Sequence, residues 1–355
     1  GVFDEREPDW SSRLVDAYGA WAFSEEQHRP SRGEGIRIGH PDSGYLEHEQ
    51  LGANFLRPGV DFVDHGTTAL NDHGAHGLST ASVIASQDDR AERPRSVTGI
   101  APLAEVLPIR VADANIIHPA VLFKNGARRL RDAIRYAVDV AKCHVISVSL
   151  GWLGNASLHA AVRHAYANDV IVVAASGNYV GLVVWPAAYR ETIALAACSA
   201  RRKPWAGSSR GRMIDVTGPG KNVGTAVVGT DYIHQASGTS HATATTAGVG
   251  ALWLAHHARE ALREKYQSIL PLTDVFRHCL AASSDPPPKA DGRWGVGIVN
   301  ARKCLEQPLP DLGDTLMQTF APPLDDPLDA LADDLDVPPD ELRRRLGRIL
   351  AIPPE

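Results

Sequence analysis

Ser240 lies in a segment whose residue types suit nucleophilic catalysis. It follows a Gly-Thr turn in SGTSHATATTAGVGALWL, and the small residues behind it have helical spacing. The N–H groups and dipole at a helix N-terminus favour the negative charge that an attacked carbonyl oxygen acquires in acyl transfer. The segment is equally compatible with a plain N-cap turn and close helix packing, so Ser240 alone does not decide the chemistry.

Two histidines compete for the role of general base. His76 precedes a glycine and a run of small residues in HGLSTASVIAS, a pattern typical of a tightly packed helix, and His73 lies three positions earlier. The chain has 15 histidines, and a single one is more often a surface or satisfied core residue than a base. The local pattern leaves both candidates open.

Two further side chains could complete a catalytic group. Asp42 in HPDSG is either a turn former or a carboxylate that accepts the second ring N–H of a histidine and fixes its tautomer. Asn178 in AASGN either serves turn geometry or donates its amide to an oxyanion.

Short β-branched runs alternate with segments of helical period from about Ile36 to Cys304. This alternation predicts an α/β fold, a doubly wound and mostly parallel sheet with helices on both faces. The strand candidates are GIRIGH ending at His40, VLPIRV from Val106, HVISVSL from His144, DVIVVAA from Asp169, TIALAAC from Thr192 and MIDVTG from Met213. Their continuous apolar character is typical of strands buried on both faces.

Two amphipathic crossover helices are predicted between these strands, over residues 127–142 and 156–169. The first places Leu130, Ile134, Ala137, Val138 and Ala141 on one face, and the second places Leu158, Ala161, Val162 and Ala165 on one face.

The candidate residues converge at one edge of the predicted sheet. Asp42 follows the first strand, Ser149-Leu150-Gly151 the third, and Ser176-Gly177-Asn178 the fourth. Because ligands of open α/β sheets bind outside the carboxyl ends of the strands, this edge is the predicted site.

Composition places the chain among soluble globular proteins and argues against two kinds of partner. Of 355 residues, 44% are apolar and 22% are charged. A chain of this length and composition can bury a large hydrophobic core. The formal net charge is -6, and acidic and basic residues are interspersed along most of the sequence. No basic face is therefore expected that would bind nucleic acid. The longest apolar runs fall well short of the ~20 residues that cross a bilayer, so no membrane segment is expected.

The start of the chain leaves the compartment undetermined. Gly1 is not followed by a charged-then-apolar leader, which indicates a processed or trimmed form. The sequence therefore does not separate a cytoplasmic from a secreted protein.

The four cysteines are interpreted as structural thiols. Cys143, Cys198, Cys279 and Cys304 show no metal-ligand spacing, so zinc is not expected, and Cys279 with Cys304 is the pair to test for a disulfide.

In combination, the motifs resemble those of the subtilisin-like serine proteases, or subtilases. IRIGHPDSG resembles the family's aspartate strand, HGLSTASVIA its histidine helix, VSLG its substrate-binding strand, ASGN its oxyanion segment and SGTSHAT its serine motif. The order Asp, His, Ser is that of subtilisin itself. The match runs from about Trp21 to Cys304. It favours His76 over His73, because only with His76 as the base do the small residues that follow align with those of the family's histidine helix.

The resemblance implies a serine endopeptidase that forms an acyl-enzyme and requires no cofactor for its chemistry. Asp42, His76 and Ser240 would form the triad, and Asn178 would bind the oxyanion. The substrate would pair as an extra strand along Ser149, Leu150 and Gly151, while Leu150, Ala174, Ala175 and Ser176 would wall an apolar or permissive pocket. Calcium is common in the family, but no loop shows an explicit ligand pattern, and a structural calcium site stays open.

The sequence departs from the family pattern at three places. The family's Asp-Thr-Gly is Asp42-Ser43-Gly44, and its His-Gly-Thr is His76-Gly77-Leu78. The serine motif has His241 after the nucleophile and Ala244 where a helix-bending proline is common. No triad atom is lost, and His241 is the change expected to alter substrate preference or local pKa.

Four segments are predicted: an extension over 1–20, the catalytic domain over 21–306, a Pro- and acid-rich linker over 307–327, and amphipathic helices over 328–355. The last segment could dock a partner. Two alternatives to a general protease follow: a dedicated protease that processes one partner or precursor peptide, and a catalytically silent fold that only binds.

Overall fold

A seven-stranded parallel sheet forms the centre of the fold, in the order β2-β3-β1-β4-β5-β6-β7. The computed structural model describes residues 3–71, 73–88, 91, 96–113, 126–227, 234–266 and 269–311, together with positions 338, 340, 341 and 344. The strands are β1 Arg37–Asp42, β2 Val60–Asp61, β3 Glu105–Arg110, β4 Val145–Val148, β5 Ile171–Ala175, β6 Thr192–Cys198 and β7 Val216–Pro219. A separate antiparallel pair joins β8 Val223–Thr225 and β9 His234–Ala236. The predicted α/β class with a parallel sheet is confirmed.

Helices cover both faces of this sheet and bury two hydrophobic cores. The described helices are α1 Trp10–Leu14, α2 Ala17–Glu26, α3 Ala75–Ala85, α4 Gly126–Asp139, α5 Ala156–Ala167, α6 Thr239–His256, α7 Arg259–Tyr266, α8 Leu272–Ser283 and α9 Ala301–Glu306. One core takes in residues of α3 and α6, and the other takes in residues of α4 and α5.

Strand β5 illustrates why the strands are apolar throughout. Ile171 and Val173 join the core under α6, while Val172 and Ala174 join the core under α4 and α5. Since successive side chains of a strand point to opposite faces, covering both faces demands an unbroken apolar run.

The two predicted crossover helices form, but both end earlier than their apolar spacing indicates. Helix α4 stops at Asp139, so Ala141 lies beyond it and is only partly buried, and α5 stops at Ala167. Lys142 and Asp169, which follow these helices, have φ angles of 54° and 57°. This left-handed backbone cannot continue a right-handed helix.

Strand β1 lies at the point where the strand order reverses, between β3 and β4. Asp42 is its last residue. A reversal of this kind opens a crevice outside the carboxyl ends of the two neighbouring strands, which is where α/β proteins bind ligands.

The boundary predicted at residue 20 does not separate two packing units. Trp10 and Leu14 are buried in the same core as α6. At the other end, Tyr266 donates its hydroxyl to the carbonyl of Pro310 over 2.7 Å, so the chain stays attached beyond the boundary at 306.

Most of the predicted linker and of the helices over 328–355 lie outside the described residues, and their docking of a partner stays a prediction. Asp340, Glu341 and Arg344 are helical. Within the described part of the chain, none of the helices has the length and apolar character needed to span a bilayer.

Candidate active site

Asp42 is held as a buried carboxylate at the end of β1. Its Oδ1 accepts hydrogen bonds of 2.7 Å from the N–H of Ser43 and 2.7 Å from Nδ1 of His76, and its side chain is fully buried. Burial alone would raise the pKa of Asp42, but the charge and hydrogen bond of His76, the proximity of His40 and the Ser43 N–H lower that pKa to about 2. The carboxylate therefore stays ionised at neutral pH.

The contact with Asp42 fixes the tautomer of His76. An ionised carboxylate can only accept, so Nδ1 must carry the proton and Nε2 presents a lone pair. The side chain of His76 remains 16% exposed, which leaves this basic nitrogen accessible. An imidazole in this tautomer can accept a proton at Nε2, which is what a general base must do.

Gly77 lets the helix that carries His76 approach the end of β1. A Cβ atom at this position would collide with the carbonyl oxygen of Gly44, and the Gly77 N–H instead donates to Oγ of Ser43 over 3.3 Å. A larger residue would push α3 away and lengthen the contact between His76 and Asp42.

His73 takes a different position. It is exposed and precedes α3, whereas His76 lies in the first turn of the helix against Asp42. The geometry thus pairs Asp42 with the histidine that the sequence resemblance selects.

Ser240 is the second residue of α6, a helix in which every residue is buried. Its hydroxyl donates to the carbonyl of Ser149 over 3.2 Å, and the hydroxyl of Ser149 donates back to the carbonyl of Ser240 over 3.1 Å. Among the described residues, no hydrogen bond joins Ser240 Oγ to His76 Nε2. The Ser240 hydroxyl is thus directed at Ser149 in this structure.

Asn178 is fixed by its carbonyl oxygen, which leaves its amide nitrogen as a donor. Oδ1 accepts 2.9 Å hydrogen bonds from both the N–H and the hydroxyl of Thr239, the first residue of α6. A Cβ atom on Gly238 would lie 3.3 Å from Asn178 Nδ2 and 3.7 Å from the nitrogen of Ser240. The two donors therefore border one small space that only glycine leaves open.

The sequence is similar to a known protein family and to several of its members. The sequence model of the family described as Peptidase_S8, Subtilase family, matches residues 33–295 of this chain. Thermitase from Thermoactinomyces vulgaris is 30% identical over 311 residues, which cover 86% of this chain and 100% of thermitase. The chain belongs to the subtilase family.

Further relatives agree with this assignment. Subtilisin Savinase from Lederbergia lenta is 30% identical over 239 residues, covering 65% of this chain and 82% of Savinase. Alkaline elastase YaB from Bacillus sp. (strain YaB) is 31% identical over 228 residues, covering 64% of this chain but only 56% of the elastase. As a subtilase, the protein is a serine endopeptidase that acts on protein or peptide substrates, and subtilases need no cofactor for catalysis.

Solved structures support the fold. The crystal structure of MycP1 with the N-terminal propeptide removed matches with a TM-score of 0.66 at 21% identity. The match covers 85% of this chain and 98% of MycP1.

The predicted substrate-binding residues of this subtilase divide into exposed and buried groups. Leu150 and Gly151 are partly exposed beyond the end of β4, and Ser149 contacts Ser240. Ala174 and Ser176 have no exposed surface, and Ala175 is 4% exposed, so these three residues lie behind the accessible surface.

Val184 is a neighbour that sequence reasoning missed. It is partly exposed, and a Cβ atom on Gly151 would collide with its Cγ2. A Cβ atom on Gly177 would lie 3.3 Å from its Cγ1. Val184 therefore fills the space between two glycines beside the candidate site, and nothing in the apolar run LVVW distinguishes it from a core residue.

The four cysteines are buried thiols. All four cysteines are free in the structure, and burial raises the pKa of Cys143, Cys198 and Cys279 to about 12. These thiols are inert as nucleophiles near neutral pH. Within the described ranges, no group of three or more His, Cys, Asp and Glu side chains is arranged to hold a metal ion.

Proposed function

We propose that this subtilase cleaves peptide bonds with Ser240 as nucleophile, His76 as general base and acid, and Asp42 as the residue that orients His76. The observation that chiefly supports the proposal is the 2.7 Å contact between His76 Nδ1 and Asp42 Oδ1. It gives the imidazole the tautomer that a base requires. Asn178 Nδ2 and the N–H of Ser240 form the oxyanion hole.

Acylation begins when the Ser240 hydroxyl leaves the carbonyl of Ser149 and turns towards Nε2 of His76. His76 takes the hydroxyl proton as Oγ bonds to the substrate carbonyl carbon, and the oxygen becomes an oxyanion between the two donors. His76 then gives the same proton to the departing amine as the C–N bond breaks.

Deacylation repeats these steps with water as the nucleophile. His76 takes a proton from water, the new oxygen bonds to the acyl carbon, and Ser240 Oγ leaves with the proton returned by His76. The ionised Asp42 stabilises the imidazolium formed in both halves of the reaction.

We propose that the substrate binds as an extra strand along Ser149, Leu150 and Gly151, where backbone groups supply the affinity. Its residue before the cut enters a pocket walled by Leu150, Gly151, Gly177 and Val184, with Ala174, Ala175 and Ser176 behind. Because the isopropyl group of Val184 lies against both glycines, the pocket is apolar and shallow.

A shallow pocket predicts a preference for small residues before the cut. Val184→Gly is expected to raise kcat/KM for Phe relative to Ala at that position by 10-fold or more, roughly the effect of adding space for methylene groups in an apolar pocket. The ratio is measured with tetrapeptide p-nitroanilides that differ only in their last residue.

Val140→Gly is the matched control, since Val140 is 64% exposed after α4. This control variant should leave the ratio of kcat/KM for Phe to that for Ala unchanged. An equal ratio in wild type and Val184→Gly would exclude Val184 from the pocket.

Labelling with a fluorophosphonate probe tests the proposed activity directly, because the probe phosphonylates only an activated serine. We expect the label on Ser240 by peptide mass spectrometry, with no label in Ser240→Ala or His76→Ala. A folded wild-type chain that resists labelling would overturn the proposal in favour of a silent binding fold. Labelling without cleavage of casein would instead identify a dedicated processing protease.

A further inference from the structure

A second imidazole lies beneath the candidate triad. His40 precedes Asp42 by two positions in β1, so both side chains point to the same face of the strand. The side chain of His40 is fully buried, and its Nε2 lies 2.9 Å from Oγ1 of Thr80 and 3.7 Å from Oδ2 of Asp42. His40 thus approaches the carboxylate oxygen that His76 does not occupy.

Thr80 connects this imidazole to the triad. It lies one turn after His76 in α3, and its Oγ1 is 3.4 Å from Oδ2 of Asp42 and 3.0 Å from the carbonyl oxygen of His76. Oδ1 of Asp42 is already engaged by Ser43 and His76. The single hydroxyl proton of Thr80 can therefore go to the carbonyl oxygen of His76 or to Oδ2 of Asp42, and the charge on the carboxylate favours Oδ2.

The surroundings of His40 determine which of its nitrogens carries the proton. Burial lowers the pKa of His40, although Asp42 opposes this effect, so the ring is neutral at pH 7. Among the described residues, Nδ1 of His40 has no hydrogen-bond partner. An orphaned buried N–H is costly, so the proton belongs on Nε2, where Thr80 accepts it.

We propose that His40 and Thr80 form a relay of positioning residues for the reaction, in which His40 Nε2–H donates to Thr80 Oγ1 and Thr80 donates to Asp42 Oδ2. The inference rests on the proposed role of Asp42. The relay fixes the carboxylate plane so that Oδ1 faces His76. It also draws negative charge towards Oδ2 and limits how strongly Asp42 stabilises a protonated His76.

A purely structural role would not require polar groups at these two positions. Apolar side chains of similar size would fill the same volume without the cost of burying an imidazole and a hydroxyl. A buried polar pair that converges on a carboxylate needs another reason, and control of that carboxylate supplies one.

In the described part of the chain, ionisable groups on β3, on α6 and beside β1 lie near this cluster. On β3, Arg110 pairs in register with Asp42, but its guanidinium binds Asp61, Asp64 and Asp113. On α6, His241 contacts Ser79, and beside β1 the thiol of Cys143 lies against Gly39.

Thr80→Val removes the hydroxyl while keeping the shape of the side chain. We expect kcat to fall about tenfold with KM unchanged, because a carboxylate whose plane is no longer fixed misplaces His76, and this loss of orientation outweighs the stronger attraction for imidazolium. Without the relay, Asp42 stabilises imidazolium more strongly, so the acid limb of the kcat/KM profile should move up by about half a pH unit. Thr80→Ser, which keeps the hydroxyl, should behave like wild type.

A double variant tests whether the two residues act together. Thr80→Val combined with His40→Leu should lower kcat no further than His40→Leu alone, because both substitutions break one relay. A folded Thr80→Val protein with wild-type kcat, and with the acid limb of its kcat/KM profile at the wild-type pH, would overturn the inference.

A measurement independent of activity separates this inference from the proposed function. We expect the low-field proton NMR signal of His76 Nδ1–H to shift in Thr80→Val and to stay in place in Thr80→Ser. An unshifted signal in Thr80→Val would overturn the relay even where Ser240 is labelled. Failure of labelling in wild type would overturn the proposed function instead.

Discussion

Ser240→Ala is expected to lower kcat about 10⁶-fold, the loss known for the corresponding substitution in subtilisin itself. In the proposed mechanism, the substitution removes the atom that bonds to the substrate carbonyl carbon. The hydroxyl also donates to the carbonyl of Ser149, but Ser149 keeps its own hydrogen bond to the backbone of residue 240. The fold and KM should therefore change little, and hydrolysis of a peptide p-nitroanilide measures the loss.

His76→Ala provides the decisive comparison, because the proposed base and the proposed nucleophile act as one unit. We expect it to lower kcat nearly as far as Ser240→Ala, and the double variant to be no slower than either single variant. His73→Ala is the matched control and should retain wild-type kcat. A strong loss in His73→Ala with activity retained in His76→Ala would reverse the assignment of the base.

The strands and the main site motifs could be predicted because each leaves a local signature. Burial on both faces forces unbroken apolar runs such as that of β5, and the carboxyl ends of parallel strands meet at one edge. Asn178 follows the apolar run of β5 and Asp42 ends β1, so their proximity to the crevice follows from the fold class.

The side-chain network could not be predicted, because it depends on distances between residues far apart in the sequence. The sequence predicts Ser149 in the substrate-binding strand, yet its carbonyl oxygen also accepts a hydrogen bond from the hydroxyl of Ser240. His40 lies within the aspartate motif itself, but only its distance to Thr80, 40 positions away, indicates a role.

The burial of the N-terminal helix could not be predicted either, because it too depends on contacts between residues far apart in the sequence. Trp10 is fully buried, and its indole N–H donates to the carbonyl of Asn222 over 2.8 Å, a partner more than 200 residues later. A domain boundary drawn from motif similarity alone therefore excludes helices that the core requires.

Asn178→Ala is expected to lower kcat by about 10²–10³ with little change in KM, since the oxyanion exists only in the transition state and in the tetrahedral intermediates that resemble it. The alanine variant removes together the proposed donation to the oxyanion and the observed contacts with Thr239. Nδ2 faces the space beside the N–H of Ser240, while Oδ1 holds both polar groups of Thr239. Kinetics of the alanine variant alone do not separate donation from positioning.

Two partial substitutions separate these roles. Asn178→Asp keeps an acceptor for Thr239 but replaces the donor, so it should lose at least as much kcat as Asn178→Ala. Thr239→Val removes the hydroxyl contacts with Asn178 and with the N–H of Gly177 while both oxyanion donors remain, and it should cost far less. If Thr239→Val instead matches the alanine variant, Asn178 acts by ordering the start of α6, because an oxyanion donor would survive the loss of one supporting hydroxyl.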